Sequence, residues 1–272
     1  MNAINRWRRQ VAAHHAQSVR AMGDSPQPQD FWRDRAPAFR ADPRRADDPS
    51  LARLLAMVQP SDTVIDVGGG GGRYALPLAL KCRRVTVVEP SPGMVQVLQN
   101  ETQQHGIGNI SVVNASWEDA QVEPADVVLC AHVLYGIEDV EPFVRKLHRS
   151  AQRLVAVHMF MEAPQTHLAP LWRVVRGERR INLPAMPDFM NVAWEMGIYP
   201  NLEILDLGGP RTLSDKEEWR TELCSRLYIE PGSTLEERLE QAMTRGLVQV
   251  DGGYAVKGTS PRRLGIAWWN KG

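Results

Sequence analysis

The sequence predicts an α/β fold, a doubly wound and mostly parallel sheet with helices on both faces. A short β-branched strand, residues 64–67, runs into five consecutive glycines at 68–72 and then into a helical pattern at 73–80. Further apolar strands alternate with helical patterns as far as residue 160. Strands that are apolar along their whole length are typical of a parallel sheet covered on both faces.

The remaining elements follow from the same patterns. The predicted strands lie at residues 64–67, 84–89, 110–114, 125–130, 153–159, 202–207 and 264–269. The predicted helices lie at residues 5–22, 51–58, 73–80, 139–148, 188–197, 215–227 and 234–244, with a further helix that begins at Pro92. Ser91 is the expected N-cap of that helix, because Pro92 suits the first helical position. Asp251 and Gly252 predict a hairpin turn within residues 249–256.

The glycine run is the most informative motif. Five glycines in a row weaken a packed element, so they indicate a turn that a ligand approaches closely. The dinucleotide pattern G-x-G-x-x-G fails, because Arg73 occupies the position of the third glycine. The pattern D-x-G-x-G-x-G fits without exception from Asp66 to Gly72. In this motif the chain resembles the class I S-adenosylmethionine-dependent methyltransferases, whose glycine loop packs under the methionine and ribose of the cofactor.

The resemblance implies a set of cofactor contacts and a sheet of seven strands with the last one antiparallel. Asp66 matches the acid that holds the loop and the methionine ammonium, and Glu89 matches the acid that binds both ribose hydroxyls. Ser116 stands where the family commonly has an aspartate, so we expect adenine to contact Ser116, the ring face of Trp117 and backbone groups. The expected cofactor-binding residues are Asp66, Gly68, Gly69, Gly70, Gly72, Glu89, Pro90, Ser91, Met94, Ser116, Trp117 and Ala131. The expected cofactor is S-adenosyl-L-methionine, with S-adenosyl-L-homocysteine as its product.

Three side chains are candidates for catalysis by their position. Methyl transfer from a sulfonium is an in-line displacement, so positioning supplies much of the acceleration and a base is optional. His132 and Tyr135 follow the fourth strand and His158 lies at the end of the fifth, where ligands of doubly wound sheets bind. A histidine there could remove a proton from the acceptor. A structural hydrogen-bonding role stays open for each of the three.

The domain organisation predicts how the acceptor is enclosed. We expect residues 1–50 to form a helical extension and lid, and residues 51–272 to form the methyltransferase domain, with insertions at about 162–184 and 211–247. The arginines of residues 162–184 either form a solvated helix face or offer a positive charge to an anionic acceptor. Ordinary packing is the alternative for Trp32 and Phe39, but aromatic residues available to these segments favour an aromatic or hydrophobic small-molecule acceptor. They are Trp32, Phe39, Trp172, Trp194 and Trp219.

Composition narrows the class of partner. The 32 basic and 32 acidic residues cancel, so the basic footprint of a general nucleic-acid binder is missing. Residues 130–135 also lack the Asn- or Asp-Pro-Pro-aromatic motif of nucleic-acid amino-methyltransferases. No apolar stretch is long enough for a membrane span, and three cysteines without a C-x-x-C pair argue against a zinc site. We expect a cytoplasmic monomer or homodimer with no metal and no nucleic-acid or membrane partner.

Other functions stay open. The first is a protein that binds S-adenosylmethionine or S-adenosylhomocysteine without turnover, as a sensor or a partner subunit. The second is a methyltransferase that acts on RNA or on protein. An NAD-dependent oxidoreductase is disfavoured, because Arg73 interrupts its glycine pattern and leaves Asp66 unexplained.

Overall fold

A computed structural model describes residues 1–23, 30 and 36–271 of the chain. The strands are β1 (Thr63–Val67), β2 (Arg84–Val88), β3 (Ile110–Val113), β4 (Ala125–Ala131), β5 (Ala151–Phe160), β6 (Asn201–Asp206), β7 (Leu247–Val250), β8 (Gly253–Val256) and β9 (Arg263–Asn270). The helices are α1 (Ala3–Met22), α2 (Pro49–Met57), α3 (Ala75–Ala79), α4 (Pro92–His105), α5 (Val140–Ser150), α6 (Ala169–Arg176), α7 (Met186–Glu195), α8 (Lys216–Arg226) and α9 (Leu235–Gly246).

Within these residues, the main sheet has seven strands in the order β3-β2-β1-β4-β5-β9-β6. Strands β1 to β5 pair in parallel, whereas β9 is antiparallel to both of its neighbours, β5 and β6. The predicted doubly wound sheet with an antiparallel last strand is confirmed. The strand order reverses at β1, which lies between β2 and β4, and ligands of such sheets bind outside the carboxyl ends at this reversal.

Local signals set the helix boundaries beside this edge. The Ser91 side chain accepts a hydrogen bond from the Met94 amide and caps α4, as predicted. Asp48 caps α2 in the same way, through the amides of Ser50 and Leu51. Helix α3 is shorter than the predicted span of residues 73–80, because the glycine turn continues to Tyr74 before the helix begins.

Three apolar cores hold the described chain together. Two of them cover the faces of the main sheet. The third lies among α6, α8, α9 and the β7-β8 hairpin, which we call the accessory unit. Helix α6 lies within the predicted insertion at 162–184, and α8 and α9 lie within the one at 211–247. Trp172 and Trp219 are fully buried in the core of the accessory unit, so the prediction that they offer their rings to an acceptor is wrong.

The arginines of residues 162–184 divide between two environments. Arg173 and Arg179 are exposed, as a solvated face predicts. Arg176 donates to the carbonyl oxygens of Leu227 and Ala21, and is therefore bound inside the protein. Arg180 is 8% exposed and donates to polar side chains of α1. Neither Arg176 nor Arg180 is placed to meet an acceptor.

Helix α1 is fixed to the main domain mainly through Trp7. This side chain is 1% exposed and lies in the core that α5 and α7 also line. Its Nε1 donates to the carbonyl oxygen of Ile137, at 2.7 Å, in the loop between β4 and α5. Farther along the helix, Gln17 and Ser18 accept hydrogen bonds from Arg180. The N-terminal helix is thus an integral part of the fold.

Trp7→Ala is expected to lower the free energy of unfolding by about 3–5 kcal/mol, because it leaves a large cavity and an unpaired carbonyl group. Urea unfolding followed by circular dichroism measures this change. Val19→Ala on the same helix is the control, since Val19 is 50% exposed and its truncation should change the free energy by about 0.5 kcal/mol or less. Equal effects of the two substitutions would show that α1 is not anchored by Trp7.

Candidate functional site

The glycine loop follows β1 and leaves no room for side chains at its two ends. Gly68 has φ +66°, and a Cβ there would lie 2.5 Å from Val133 Cγ2. Gly72 has φ +92°, and a Cβ there would lie 2.6 Å from Leu98 Cδ1. By contrast, among the residues that the structure describes, a Cβ at Gly70 would meet only Met94 Sδ, at 3.8 Å. The loop is therefore tightly packed at its ends and open at Gly70, its central residue.

Asp66 lies beneath this loop. It is 1% exposed, and a Cβ at Gly69 would lie 2.8 Å from its Oδ2. The carboxyl group accepts a hydrogen bond from the Ala75 amide, but Oδ2 has no hydrogen-bond partner among the described residues. Burial, reinforced by the nearby Glu89 carboxylate, raises the pKa of Asp66 to about 7. An unpaired buried carboxyl oxygen under an open glycine turn fits a ligand with an ammonium group.

Glu89 follows β2 and faces the same loop. Its Oε2 accepts a hydrogen bond from the Gly70 amide, and its Oε1 accepts one from the Ser91 amide, both at 2.9 Å. Burial raises the pKa of Glu89, although these two amides oppose the rise. A carboxylate has about four acceptor positions, so two remain for hydroxyl groups. This geometry fits a ribose diol.

The chain before α2 lies over this corner. The Asp30 carboxylate accepts hydrogen bonds from Ser91 Oγ at 2.8 Å and from the Gly93 amide at 3.1 Å. Ala36 packs against Met94 in a small apolar cluster. Nothing in the sequence identifies Asp30 in advance, because an isolated acid in a linker has no spacing signal. Trp32 lies outside the described residues.

The expected adenine contacts are only partly present. Trp117 is 3% exposed, and its Nε1 donates to the carbonyl oxygen of Phe143. Lys146 Nζ lies 4.7 Å from the centre of its ring. The prediction that Trp117 offers its ring face is therefore wrong, because the side chain belongs to the core. Ser116 is partly exposed, and its hydroxyl donates to Asp119 Oδ2 at 2.8 Å.

Two of the predicted catalytic residues meet after β4. His132 has φ +62°, and its amide donates to the carbonyl oxygen of His158 on β5. Its Nδ1 lies 3.2 Å from Tyr135 Oη. Tyr135 Oη also accepts a hydrogen bond from the Phe160 amide at 2.6 Å, which leaves the tyrosine proton for His132 Nδ1. As a residue, His132 is partly exposed, and its ring lies 4.7 Å from the Phe160 ring.

These groups are neutral at pH 7. Burial and the charge of Arg73 lower the pKa of His132 to about 4. Burial lowers the pKa of His158 to about 3, and neither of its ring nitrogens has a partner in the part of the chain that the structure describes. Burial also raises the pKa of Tyr135. Because a general base works best with a pKa near the operating pH, neither histidine is tuned for that role.

A hydrogen-bonded network leads from Tyr74 to Arg73, and the Tyr74 ring packs against the His158 ring. The His158 ring is 5.5 Å from the Tyr74 ring, and Tyr74 Oη is 3.0 Å from Ser50 Oγ. Ser50 Oγ donates to Asp48, which also accepts a hydrogen bond from Arg73 at 2.8 Å. Burial disfavours the Asp48 carboxylate, but Ser50 and Arg73 together hold its pKa below the usual range. The sequence alone does not predict this hydrogen-bonded network, because its residues are close only in the folded protein.

The remaining predicted cofactor contacts differ in their exposure. Pro90 is exposed and Ala131 is partly exposed at the mouth of the site, whereas Met94 is buried against the loop.

Across the described ranges, no cluster of three or more His, Cys, Asp or Glu side chains could hold a metal ion. No helix of the described chain is both long enough and apolar enough to cross a bilayer.

The sequence matches one family model and is similar to several known proteins. The sequence model of a family described as "Methyltransferase domain" matches residues 65–154. An uncharacterized protein of Haemophilus influenzae is 28% identical over 222 residues, 80% of each chain. A ubiquinone biosynthesis O-methyltransferase of Rickettsia felis is 28% identical over 85 residues, 31% of this chain and 34% of that one. This chain thus matches about a third of the length of the Rickettsia protein.

The fold has solved counterparts. The YcgJ protein of Bacillus subtilis superposes with a TM-score of 0.55 and 14% identity, over 82% of this chain and 99% of that one. The family match begins next to Asp66 and includes the glycine loop, Glu89 and the loop after β4. Residues 65–154 therefore match a methyltransferase domain, and the protein has the Rossmann-like fold of the class I S-adenosylmethionine-dependent methyltransferases.

Proposed function

We propose that this protein transfers a methyl group from S-adenosyl-L-methionine to a small-molecule acceptor. The observation that supports this proposal most strongly is the unpaired Oδ2 of Asp66 beneath the open centre of the glycine loop. An ammonium group would satisfy that oxygen, and the Glu89 carboxylate would accept hydrogen bonds from the ribose hydroxyls. Pro90, Ala131 and Ser116 would flank the adenine.

The bound cofactor would supply an activated methyl carbon, and the chain's own residues would hold and enclose the acceptor. His132 is the predicted catalytic residue that is best placed to contact it, because it lies at the carboxyl edge of the sheet and is not fully buried. Tyr135 and His158 would position His132, one through its hydroxyl and the other through its backbone. With Nδ1 accepting from Tyr135, Nε2 carries the ring proton and would donate to an acceptor oxygen.

Several observations favour a small molecule over RNA or protein. The zero net charge gives no general attraction to RNA. A cavity at the carboxyl end of β5 is lined by Phe160 from the main sheet and by Arg226 from the accessory unit, and it has the size of a small-molecule site. The Rickettsia relative carries the name of an O-methyltransferase of ubiquinone biosynthesis, a small-molecule reaction. We also propose that residues 1–50 act as a lid, supported by the hydrogen bonds of Asp30 to the start of α4.

The proposed enzyme activity is tested by measuring methyl transfer to candidate acceptors. Incubation with S-adenosylmethionine and a panel of phenols, amines and carboxylic acids, followed by mass spectrometry, should detect S-adenosylhomocysteine together with one methylated acceptor. Tight binding of S-adenosylhomocysteine without turnover of any acceptor would favour the sensor or partner-subunit alternative. Methylation of RNA or protein in cell extracts, but of no small molecule, would contradict the acceptor class.

Asp66→Asn and Glu89→Gln are each expected to weaken S-adenosylhomocysteine binding by about 1–3 kcal/mol, because each leaves a polar group of the ligand poorly paired. Isothermal titration calorimetry measures the change, with NAD as a control ligand. Glu123→Gln is the matched control, since Glu123 is exposed away from the glycine loop. Wild-type preference for NAD, or unchanged affinity in both variants, would contradict the assigned cofactor site.

Binding of S-adenosylhomocysteine should release a proton near neutral pH. Asp66, with a pKa of about 7, is largely protonated below that pH in the free protein, whereas a bound ammonium group favours the carboxylate. Affinity should therefore rise with pH, by up to about tenfold per unit, and level off above about pH 7. Calorimetry in buffers of different ionisation enthalpy measures the released proton. Asp66→Asn should abolish the release, and proton uptake would refute the assignment.

His132→Ala is expected to lower kcat/KM for the acceptor found in the screen by about tenfold to a hundredfold, through loss of an acceptor contact. Tyr135→Phe should cost less, about threefold to tenfold, because it keeps the His132 ring and removes only the hydroxyl group that orients it and accepts from the Phe160 amide. Steady-state kinetics measure both changes. The affinity for S-adenosylhomocysteine should stay unchanged in both variants, and a matching loss of that affinity would place His132 in the cofactor site instead.

A further inference from the structure

A cavity of about 310 Å³ lies at the carboxyl end of β5, where the main sheet meets the accessory unit. Phe160 and Met161 line it from the end of β5, and residues 162–167 line it from the segment before α6. Its volume lies at the lower end of the range for small-molecule sites. No residue of the glycine loop lines it, so it is separate from the proposed cofactor site.

The cavity is rich in arginine. Among the described residues that line it, the basic ones are Arg211, Arg226, Arg262 and Arg263. Glu222 pairs with both Arg211 and Arg226, at 3.3 and 3.1 Å, and holds these two guanidinium groups side by side. Within the described chain, neither Arg262 nor Arg263 forms an ion pair. Even with Glu162 included, positive charge is in excess here, although the whole chain is neutral.

Two further polar groups at the cavity are unsatisfied. Thr166 Oγ1 and His167 Nε2 are buried, and neither has a hydrogen-bond partner in the described ranges. Both residues line the cavity. Buried polar atoms without partners are uncommon in folded proteins, so each one marks a place where a ligand can complete the hydrogen bonding. The remaining wall includes apolar side chains such as Met161 and Pro164.

Phe160 joins this cavity to the proposed transfer site. Its side chain lines the cavity, and its ring lies 4.7 Å from the His132 ring. Its amide also donates to Tyr135 Oη. A molecule that reaches past Phe160 would therefore place one end near His132 and the other among the arginines.

We propose that this cavity selects acceptors that carry an oxyanion, a carboxylate or a phosphate, on an apolar or aromatic body. Arginine binds both oxyanions through paired N–H donors, and the apolar wall accommodates the body of the acceptor. This inference rests on the proposed methyl transfer and specifies the class of its substrate. The arginines of this cavity differ from Arg176 and Arg180, which are bound inside the fold.

The test uses matched pairs of probes with the full-length protein saturated with S-adenosylhomocysteine. The pairs are hydroxycinnamate and its amide, naphthoate and its amide, and phenyl phosphate and phenol. Saturation-transfer NMR ranks binding within each pair, and calorimetry measures the affinities. The variants are Arg262→Gln, Arg263→Gln and their combination, because these side chains are exposed and their replacement leaves the ion pairs of Glu222 intact. Arg245→Gln, an exposed arginine outside the cavity lining, is the control.

We expect the anionic member of each pair to bind more tightly than the neutral member. The affinity of the double variant for the anion should be lower by a factor of about ten or more, which is the effect of losing a charged hydrogen bond. The control should bind like the wild type. Comparison of the carboxylate pairs with the phosphate pair identifies which oxyanion binds more tightly. Absence of any preference for the anions, or equal binding by wild type and double variant, would overturn the proposal. Failure of S-adenosylhomocysteine to bind, measured on the same samples, would instead contradict the proposed function.

Discussion

Asp66 ends β1 with its carboxyl group enclosed beneath the glycine loop, and burial of such a group costs free energy unless a proton or a cation accompanies it. The loop takes its shape from this placement, because a side chain at Gly69 would collide with the carboxyl oxygen. Glu89 then fixes the loop from the neighbouring strand through the Gly70 amide. Two acids from adjacent strands thus build one concave surface before any ligand arrives, and little reorganisation is needed on binding.

The two sides of the site differ in their electrostatics. On the cofactor side, acids face the expected position of a positively charged ligand. On the other side, burial keeps His132 and His158 neutral, so they add no positive charge that would repel a sulfonium. Beyond Phe160, the arginine cavity carries an excess of positive charge. This order of charges suits a reaction that depends on alignment of two bound molecules more than on transfer of a proton.

Features encoded by neighbouring residues could be predicted from the sequence. The strand pattern, the glycine motif and the Ser91 cap depend on spacing along the chain, and all of them are present in the structure. Burial of particular aromatic rings could not be predicted. Trp117 and Trp172 have the same composition signal whether they line a pocket or a core, and only tertiary packing decides between them. Asp30 was missed for a similar reason, since its partners lie about sixty residues away in α4.

The separate core of the accessory unit has a consequence for how this protein can diverge. Its buried residues, such as Trp219 and Leu239, belong to a cluster distinct from the two that support the sheet. Substitutions in the core of the accessory unit can change the shape of the arginine cavity without changing the packing around the glycine loop. The family match ends at residue 154, before Phe160 and the accessory unit begin. Residues of the accessory unit can therefore vary without change to the glycine loop and Glu89, and Phe160 marks the boundary between the two parts.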